Sequence, residues 1–206
     1  MALRFRTYLV KPWDELNLLL SQRFAFQPEM SDVTRLAGAL AVAIKHEAEK
    51  AKLSRTLVDG ESLDNRVMSD VADAWKHGNL TNSARNNHLT VGAQFECSPD
   101  NKFRFLRNVV TVHHASLGTL DFMMTAGEAI SYWVRKLKLA INWSPTLAEG
   151  LREFHEEAFL YFNPKYQISM SATNLQIVRR SANGGLVPYD TPKLRFAVYE
   201  QRDEAT

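Results

Sequence analysis

The stretch RVMSDVADAWKHGNL, residues 66–80, decides where the chain changes from helix to strand. With about 100° between successive residues of a helix, one stripe carries four polar side chains: Arg66, Asp70, Asp73 and His77. The adjoining apolar side consists of Leu63, Val67, Val71 and Ala74. Gly78 can adopt the left-handed conformation that ends a helix. We therefore predict an amphipathic helix that ends at Gly78 and is followed by strands.

The polar stripe has two interpretations. In the first, Arg66 pairs with Asp70, and Asp73 pairs with His77, on a solvated face, each pair adding roughly 0.3–0.5 kcal/mol. In the second, the stripe has a catalytic or metal-binding role and needs further groups. Those groups would come from His46 or from His155, Glu156 and Glu157. No spacing here matches a known ligand pattern, so we predict neither a metal site nor a cofactor.

Length and composition predict one domain. The chain has 206 residues, of which 45% are hydrophobic, and it contains no linker rich in proline, glycine or serine. A chain of this size can bury a proper core. We expect a helical part over residues 12–80 and a mixed strand and helix part over residues 88–200.

Charge and cysteine content narrow the functional classes. The net charge of +2 is too small to argue for binding to duplex nucleic acid. Cys97 is the only cysteine, so we predict no internal disulfide and a reducing, cytoplasmic setting. There is no apolar run of 18 residues and no signal peptide pattern, so we expect no contact with a membrane. A homo-oligomer stays open.

The first part of the chain has helical spacing. Pro12 suits a first helical position, and the apolar pattern runs to about Phe24. The clearest helix is predicted over residues 32–53, capped by Ser31 or Asp32. Asp59-Gly60 predicts a turn. Three polar residues of the long helix are predicted to be solvated: His46, Glu47 and Glu49.

After residue 80 the spacing of the apolar residues changes from a helical period to every second residue, which is the period of a strand. Apolar and polar residues alternate over residues 89–98, which predicts a half-buried strand with Cys97 in the core. Residues 98–101 form a turn signal, so residues 103–114 should return as the hairpin partner. Residues 117–122 add a third short strand.

Helices and strands then alternate. Thr125 and Glu128 form a capping box for one helix, and Ser144-Pro145 predicts another to about Tyr161. Alternation over three later stretches predicts strands: residues 166–172, 175–180 and 194–198. We therefore predict an α+β fold, with N-terminal helices and a mostly antiparallel sheet of two hairpin-like strand groups separated by two helices.

Two short patterns on the second predicted strand suggest contact with RNA. Arg107-Asn108, followed by His113, resembles the motif of the HEPN family of helical ribonucleases. The resemblance implies metal-independent action on RNA, commonly across a dimer, with the motif on a helix. The interleaved residues Phe103, Arg104, Phe105 and Arg107 suggest a surface that stacks bases and holds phosphates of single-stranded nucleic acid. The alternative places these aromatic residues in the core.

Two functions therefore stay open. The first is a non-catalytic binding or assembly module for a protein or nucleic-acid partner. The second is an RNA-cleaving nuclease, either with an arginine and histidine site or with a metal-dependent aspartate and histidine site. Its catalytic residues would be drawn from Arg66, Asp73, His77, Arg107 and His113.

Overall fold

The computed structural model describes residues 2–22, 32–78, 80–150, 152–162, 174–190 and 195–200. The fold is α+β, as the sequence predicts. Its helical elements are α1 (Ala2–Phe5), a π turn (Arg6–Val10), α2 (Lys11–Ser21), α3 (Asp32–Lys45), α4 (Glu47–Lys50), α5 (Arg55–Glu61), α6 (Leu63–His77), a 3-10 turn (Ser83–Arg85) and α7 (Phe122–Lys136). Its strands are β1 (Asn87–Cys97), β2 (Phe103–His114), β3 (Gly118–Asp121), β4 (Ala158–Phe162), β5 (Asn174–Arg180), β6 (Leu186–Pro188) and β7 (Phe196–Glu200).

The first three elements form one continuous run, residues 2–21, which we call the N-terminal helix. Within it, the amide of Lys11 donates to the carbonyl of Arg6, the i→i+5 bond that defines a π turn. Its inner face buries large side chains: Phe5, Leu9, Trp13, Leu16 and Leu20. The indole Nε1 of Trp13 donates to the carbonyl of Met123 at 3.0 Å, which ties this helix to α7.

Helix α6 is the centre of the helical packing, because α3, α5 and α7 all contact it. The side chain of Ser62 caps its first turn by accepting from the amide of Asn65 at 3.2 Å. Asn65 also accepts from the indole of Trp133 on α7 at 2.7 Å. Gly78 follows α6 with a φ of 72°, as the glycine signal predicts.

The strand order of the larger sheet is β3-β2-β1-β5-β6. The β2–β3 and β5–β6 pairs are antiparallel, and the short turn from β1 to β2 requires the same for that pair. In contrast, β1 and β5 are parallel, with Phe95 opposite Ile177. A long connection that includes α7 separates them in sequence, as parallel strands require. The sheet is therefore mixed, and β4 and β7 form a separate parallel pair.

The chain divides into two compact units. The first comprises Met1–Leu18, Asp32–Thr90 and Val110–Leu147, and the second comprises Leu19–Ser31, Val91–Val109 and Ala148–Thr206. The core of the second unit consists of Ala93, Phe95, Cys97, Phe103, Phe105 and Ala158. Cys97 is buried and free, which confirms its predicted place in the core. That the whole chain is a single domain stays a prediction.

Four details of the sequence prediction are wrong. The helix predicted to open at Thr125 begins at Phe122 and is capped by Asp121. Residues 144–150 and 152–157 are not helical, and residues 158–161 belong to β4. The amide of Gly150 donates to the carbonyl of Leu106 at 2.6 Å instead of to a helical partner. Asp59-Gly60 lies inside α5 and is not a turn. Glu47 is buried because Arg4 and Lys50 both pair with its carboxylate. The strand predicted over residues 166–172 lies outside the described residues.

In the part of the chain that the structure describes, no helix is long and apolar enough to span a bilayer.

Gly38 on α3 permits a close approach to Trp75 on α6, because a Cβ atom there would lie 2.3 Å from the ring atom Cδ2. We predict that Gly38→Ala lowers the free energy of unfolding by about 1–3 kcal/mol through overpacking. In a Trp75→Ala background the clash is gone, and the same change should stabilise by up to about 1 kcal/mol, because alanine favours helix. Urea denaturation of wild type, the two single variants and the double variant measures both effects. A stabilising Gly38→Ala in the wild-type background would contradict this tight packing.

Candidate functional site

Helix α6 places two carboxylates, Asp70 and Asp73, three residues apart on one side. Asp70 is completely buried, and Asp73 is mostly buried. Four side chains from other elements of the same compact unit converge on them: Lys45 at the end of α3, Arg55 at the start of α5, Arg85 in the 3-10 turn and His114 on β2. We call these six residues the carboxylate cluster.

Each oxygen of Asp70 has a partner. Arg85 Nε donates to Oδ1 at 2.6 Å, and His114 Nε2 lies 3.2 Å from Oδ2. The His114 side chain is as fully buried as that of Asp70. The contact with Asp70 raises the pKa of the Arg85 guanidinium above its ordinary value. A buried carboxylate without such partners would cost several kcal/mol, so these contacts are needed for α6 to face the core here.

Asp73 is held in the same way. Lys45 pairs with Oδ1. Oδ2 accepts from Arg55 Nη1 at 2.9 Å and from Arg85 Nη2 at 3.1 Å. Burial by itself would raise the pKa of Asp73, but the hydrogen bonds from Lys45 and Arg55 outweigh it and lower the pKa to about 2. Asp73 is therefore a fixed anion at neutral pH and a poor proton acceptor.

Few groups of the carboxylate cluster are available to bind a substrate or to transfer a proton. Its carboxylate oxygens already face arginine, lysine and histidine nitrogens. Among the described residues, no group of three or more histidine, cysteine, aspartate or glutamate side chains could hold a metal ion. The cluster instead joins α3, α5, the 3-10 turn and β2 to α6.

Two of the predicted catalytic residues, Arg66 and His77, lie on α6 but are exposed. Asp70 and Asp73 pair with residues of other elements, so the predicted i,i+4 pairs with Arg66 and His77 are not the ones that form. The predicted pairs do not form because residues of other elements cover the side of α6 that carries Asp70. The structure therefore does not bring Arg66, Asp73 and His77 together. Their catalytic role stays a prediction.

The predicted nucleic-acid surface on β2 is buried. Phe103, Arg104, Phe105 and Arg107 are all less than a tenth exposed. Arg104 Nε donates to Glu96 Oε2 at 2.8 Å, and its Nη2 donates to Glu149 Oε2 at 2.7 Å. Arg180 on β5 bonds to the same two carboxylates. Because these groups already bond to one another, contact with nucleic acid through them stays a prediction that the geometry does not favour.

Arg107 and His113 both lie on β2, six residues apart along an extended strand. A strand rises by about 3.3 Å per residue, which separates them by about 20 Å. Arg107 Nε donates to the carbonyl of Asn108 at 3.1 Å. The resemblance to helical ribonucleases implied a helix at this motif, whereas the β-branched residues Val109 to Val112 favour the observed strand.

His113 is half exposed and stacks on His88 of β1, with the ring centroids 4.7 Å apart and the planes 16° from parallel. Its Nε2 lies 2.9 Å from the hydroxyl of Thr90. Burial lowers the pKa of His113, with a further contribution from the charge of His88. Both effects favour the neutral imidazole of His113, which is the form that can accept a proton. We call His88, Thr90 and His113 the histidine pair site.

Sequence reasoning missed several residues of these clusters. They are Lys45, Arg55, Arg85, His88, Glu96, His114 and Glu149. One signal was available: adjacent strand residues face opposite ways, so His113-His114 places one imidazole inside and one outside. For the long-range partners Arg55 and Arg85, no local pattern points to Asp70.

Comparisons with known proteins give no family. No model of a protein family, no curated protein and no solved structure matches this chain. The resemblance of Arg107, Asn108 and His113 to helical ribonucleases therefore gains no support from the rest of the chain.

Because its pKa is lowered to about 2, the Asp73 carboxylate contributes stability that is present above its ordinary pKa of 3.8. We expect Asp73→Asn to lower the free energy of unfolding by about 2 kcal/mol at pH 7. The gap should shrink as the pH falls from 3.8 and close near 2, where Asp73 is protonated. Urea denaturation of both proteins across this range measures it.

Carboxylates that share no cation with Asp73 contribute equally to the stability of both proteins, so their contribution cancels in the difference. Asp100→Asn, in the exposed turn after β1, serves as the matched control and should show no such gap. A difference between wild type and Asp73→Asn that does not depend on pH would mean that the carboxylate is not stabilised by its cations.

Proposed function

We propose that this protein is a non-catalytic binding or assembly module that contacts a protein partner through the outer face of its N-terminal helix. One observation supports this: the outer face is a stripe that begins and ends with a largely exposed leucine. Leu3 is 80% exposed and Leu18 is 61% exposed. The lone thiol of Cys97 is buried and free, which suits a reducing compartment such as the cytoplasm.

The exposed stripe follows the helix from end to end. It consists of Leu3, Thr7, Lys11, Asp14 and Leu18, and we call it the leucine stripe. Positions four apart stay aligned across the π turn, because that turn takes up more residues than an α turn. A groove of about 280 Å³ is lined by four residues of the stripe (Leu3, Thr7, Lys11 and Asp14) together with Arg6 and Val10.

The charged residues support a structural role over a catalytic one. Asp70 and Asp73 face cations from their own chain, and Glu96 and Arg104 face each other inside the second unit. A catalytic group must reach a substrate, whereas these groups are directed inward. The proposal therefore assigns the clusters to stability and the leucine stripe to binding.

A photo-cross-linker in place of Thr7 tests the leucine stripe. We expect irradiation of cells that express this variant to give an adduct heavier than the chain. Leu3→Lys and Leu18→Lys should remove the adduct, because each places a charge where an apolar contact forms. Both leucines are exposed, so the free energy of unfolding should change by less than about 0.5 kcal/mol.

The matched control carries the cross-linker at Thr119, an exposed threonine of β3. It should give no adduct that depends on Leu3 or Leu18. If the variant at position 7 gives no adduct of any mass, the leucine stripe is not a binding surface and the proposal falls.

A second candidate function is RNA cleavage at the histidine pair site. The observation that favours it is the stacked, solvent-accessible pair of His88 and His113, with the Thr90 hydroxyl 2.9 Å from the His113 ring. One imidazole would accept the proton of the 2′-hydroxyl as its oxygen attacks phosphorus. The other would donate a proton to the departing 5′-oxygen, which leaves a 2′,3′-cyclic phosphate.

A gel assay with labelled RNA, with and without EDTA, tests this second function. We expect cleavage that survives EDTA and is lost in both His88→Ala and His113→Ala, with unchanged melting temperatures. Cleavage that is lost with EDTA and in His77→Ala would instead indicate a metal held near Asp73. A double variant at residues 88 and 113 that cleaves as well as wild type rules out the histidine pair site.

A further inference from the structure

We propose that the occupant of the leucine stripe is a second copy of this chain, packed antiparallel about a two-fold axis that passes near residues 10 and 11. This inference rests on the proposed function, because it names the partner of the same surface. It follows from the order of charged and apolar residues along the exposed face of the N-terminal helix.

Six of the eight exposed residues of this helix lie opposite one another when the helix is reversed, and the other two are Tyr8 and Lys11. A two-fold axis between residues 10 and 11 places each residue of one copy opposite a residue of the other copy, and the two residue numbers add up to 21. Leu3 then lies opposite Leu18 of the other copy, and Thr7 lies opposite Asp14. Arg6 lies opposite Glu15, so a cation meets a carboxylate. By symmetry each of these contacts forms twice, as in any isologous interface.

The charges of this face are separated along the helix. The exposed cation Arg6 lies in the first half, and the exposed carboxylates Asp14 and Glu15 lie in the second half together with Lys11, which pairs with Glu15. A parallel arrangement would place like charges side by side, whereas the antiparallel one opposes cation and anion. The helix dipoles are also opposed in this arrangement, which brings positive and negative ends together. Charge therefore selects both the partner and its direction.

The two copies of Lys11 lie next to the axis and would repel each other. Each is countered within its own chain, because Lys11 Nζ lies 3.6 Å from Glu15 Oε1. Both side chains are exposed and free to reorient. Glu15 can thus accept from Lys11 of its own chain and from Arg6 of the second copy.

The apolar contacts fit the length of the helix. Leu3 and Leu18 are 15 residues apart, which is about 22 Å along a helix. Two such helices in antiparallel contact bring the leucines together at both ends, with the groove beside Val10 between them. One helix pair buries less than the roughly 800 Å² per partner of a standard interface. We therefore expect a weak dimer that forms reversibly as the concentration rises.

Sedimentation of the purified full chain over a wide concentration range measures the dimer. Arg6→Glu and Glu15→Arg should each weaken it about tenfold, because each replaces two attractive pairs by repulsive ones. The double variant Arg6→Glu/Glu15→Arg restores opposite charges across the axis and should recover the wild-type dissociation constant. Recovery by the charge exchange is the result that a merely structural role of either residue would not produce.

Two control variants test whether other effects account for a change in the strength of the dimer. Lys11→Met removes the pair with Glu15 inside the chain and leaves the contact with the second copy, so the dimer should be at least as strong. Arg135→Glu reverses an exposed cation on α7 and should leave the dimer unchanged. Melting temperatures show whether any variant has lost its fold.

Three results would overturn the second copy as occupant. They are a chain that stays monomeric at every concentration, a dimer that is insensitive to both single variants, and a double variant that fails to recover. The cross-linked adduct from position 7 distinguishes this failure from that of the proposed function. An adduct of twice the chain mass supports the second copy. An adduct of another mass keeps the leucine stripe as a binding surface but removes the second copy.

Discussion

The buried carboxylate of Asp70 is the constraint on which the helical unit depends. A helix that carries an anion into its core is stable only if cations and hydrogen-bond donors meet it there. Arg85 and His114 meet this need directly, and Arg55 and Lys45 extend it to Asp73. The positions of α3, α5 and the 3-10 turn around α6 are therefore set by charge as well as by apolar packing.

In the second compact unit, too, a buried carboxylate is paired with cations. Glu96 on β1 is buried, and Arg104 and Arg180 from two other strands bond to it. Glu149 bonds to both arginines from a segment without regular structure. This bonding explains why that segment lies extended in place of the helix that its apolar spacing predicts. In both units, polar residues that resemble a functional site instead satisfy one another.

The N-terminal helix differs from these clusters because it exposes apolar side chains to solvent. Its inner face is filled by aromatic and aliphatic side chains, so its internal packing is complete without Leu3 and Leu18. Leu3 and Leu18 keep 80% and 61% of their surface exposed, so their side chains add little apolar burial to the fold of their own chain. The π turn keeps them aligned with the charged residues between them. Binding is therefore best sought where side chains remain exposed to solvent, on this helix and at the histidine pair site.

The sequence by itself determined what depends on local periodicity: the helix that ends at Gly78, the hairpin of β1 and β2, the burial of Cys97 and the α+β class. Contacts between distant residues were decided only by the tertiary structure. Asp70 on α6 meets Arg85 and His114, 15 and 44 positions away, and β1 pairs in parallel with β5. A helical period of 3.6 identifies a stripe, but it does not reveal whether solvent or another element covers that stripe. The same limit explains why Arg104 reads as a nucleic-acid contact in sequence and lies buried against Glu96 in the fold.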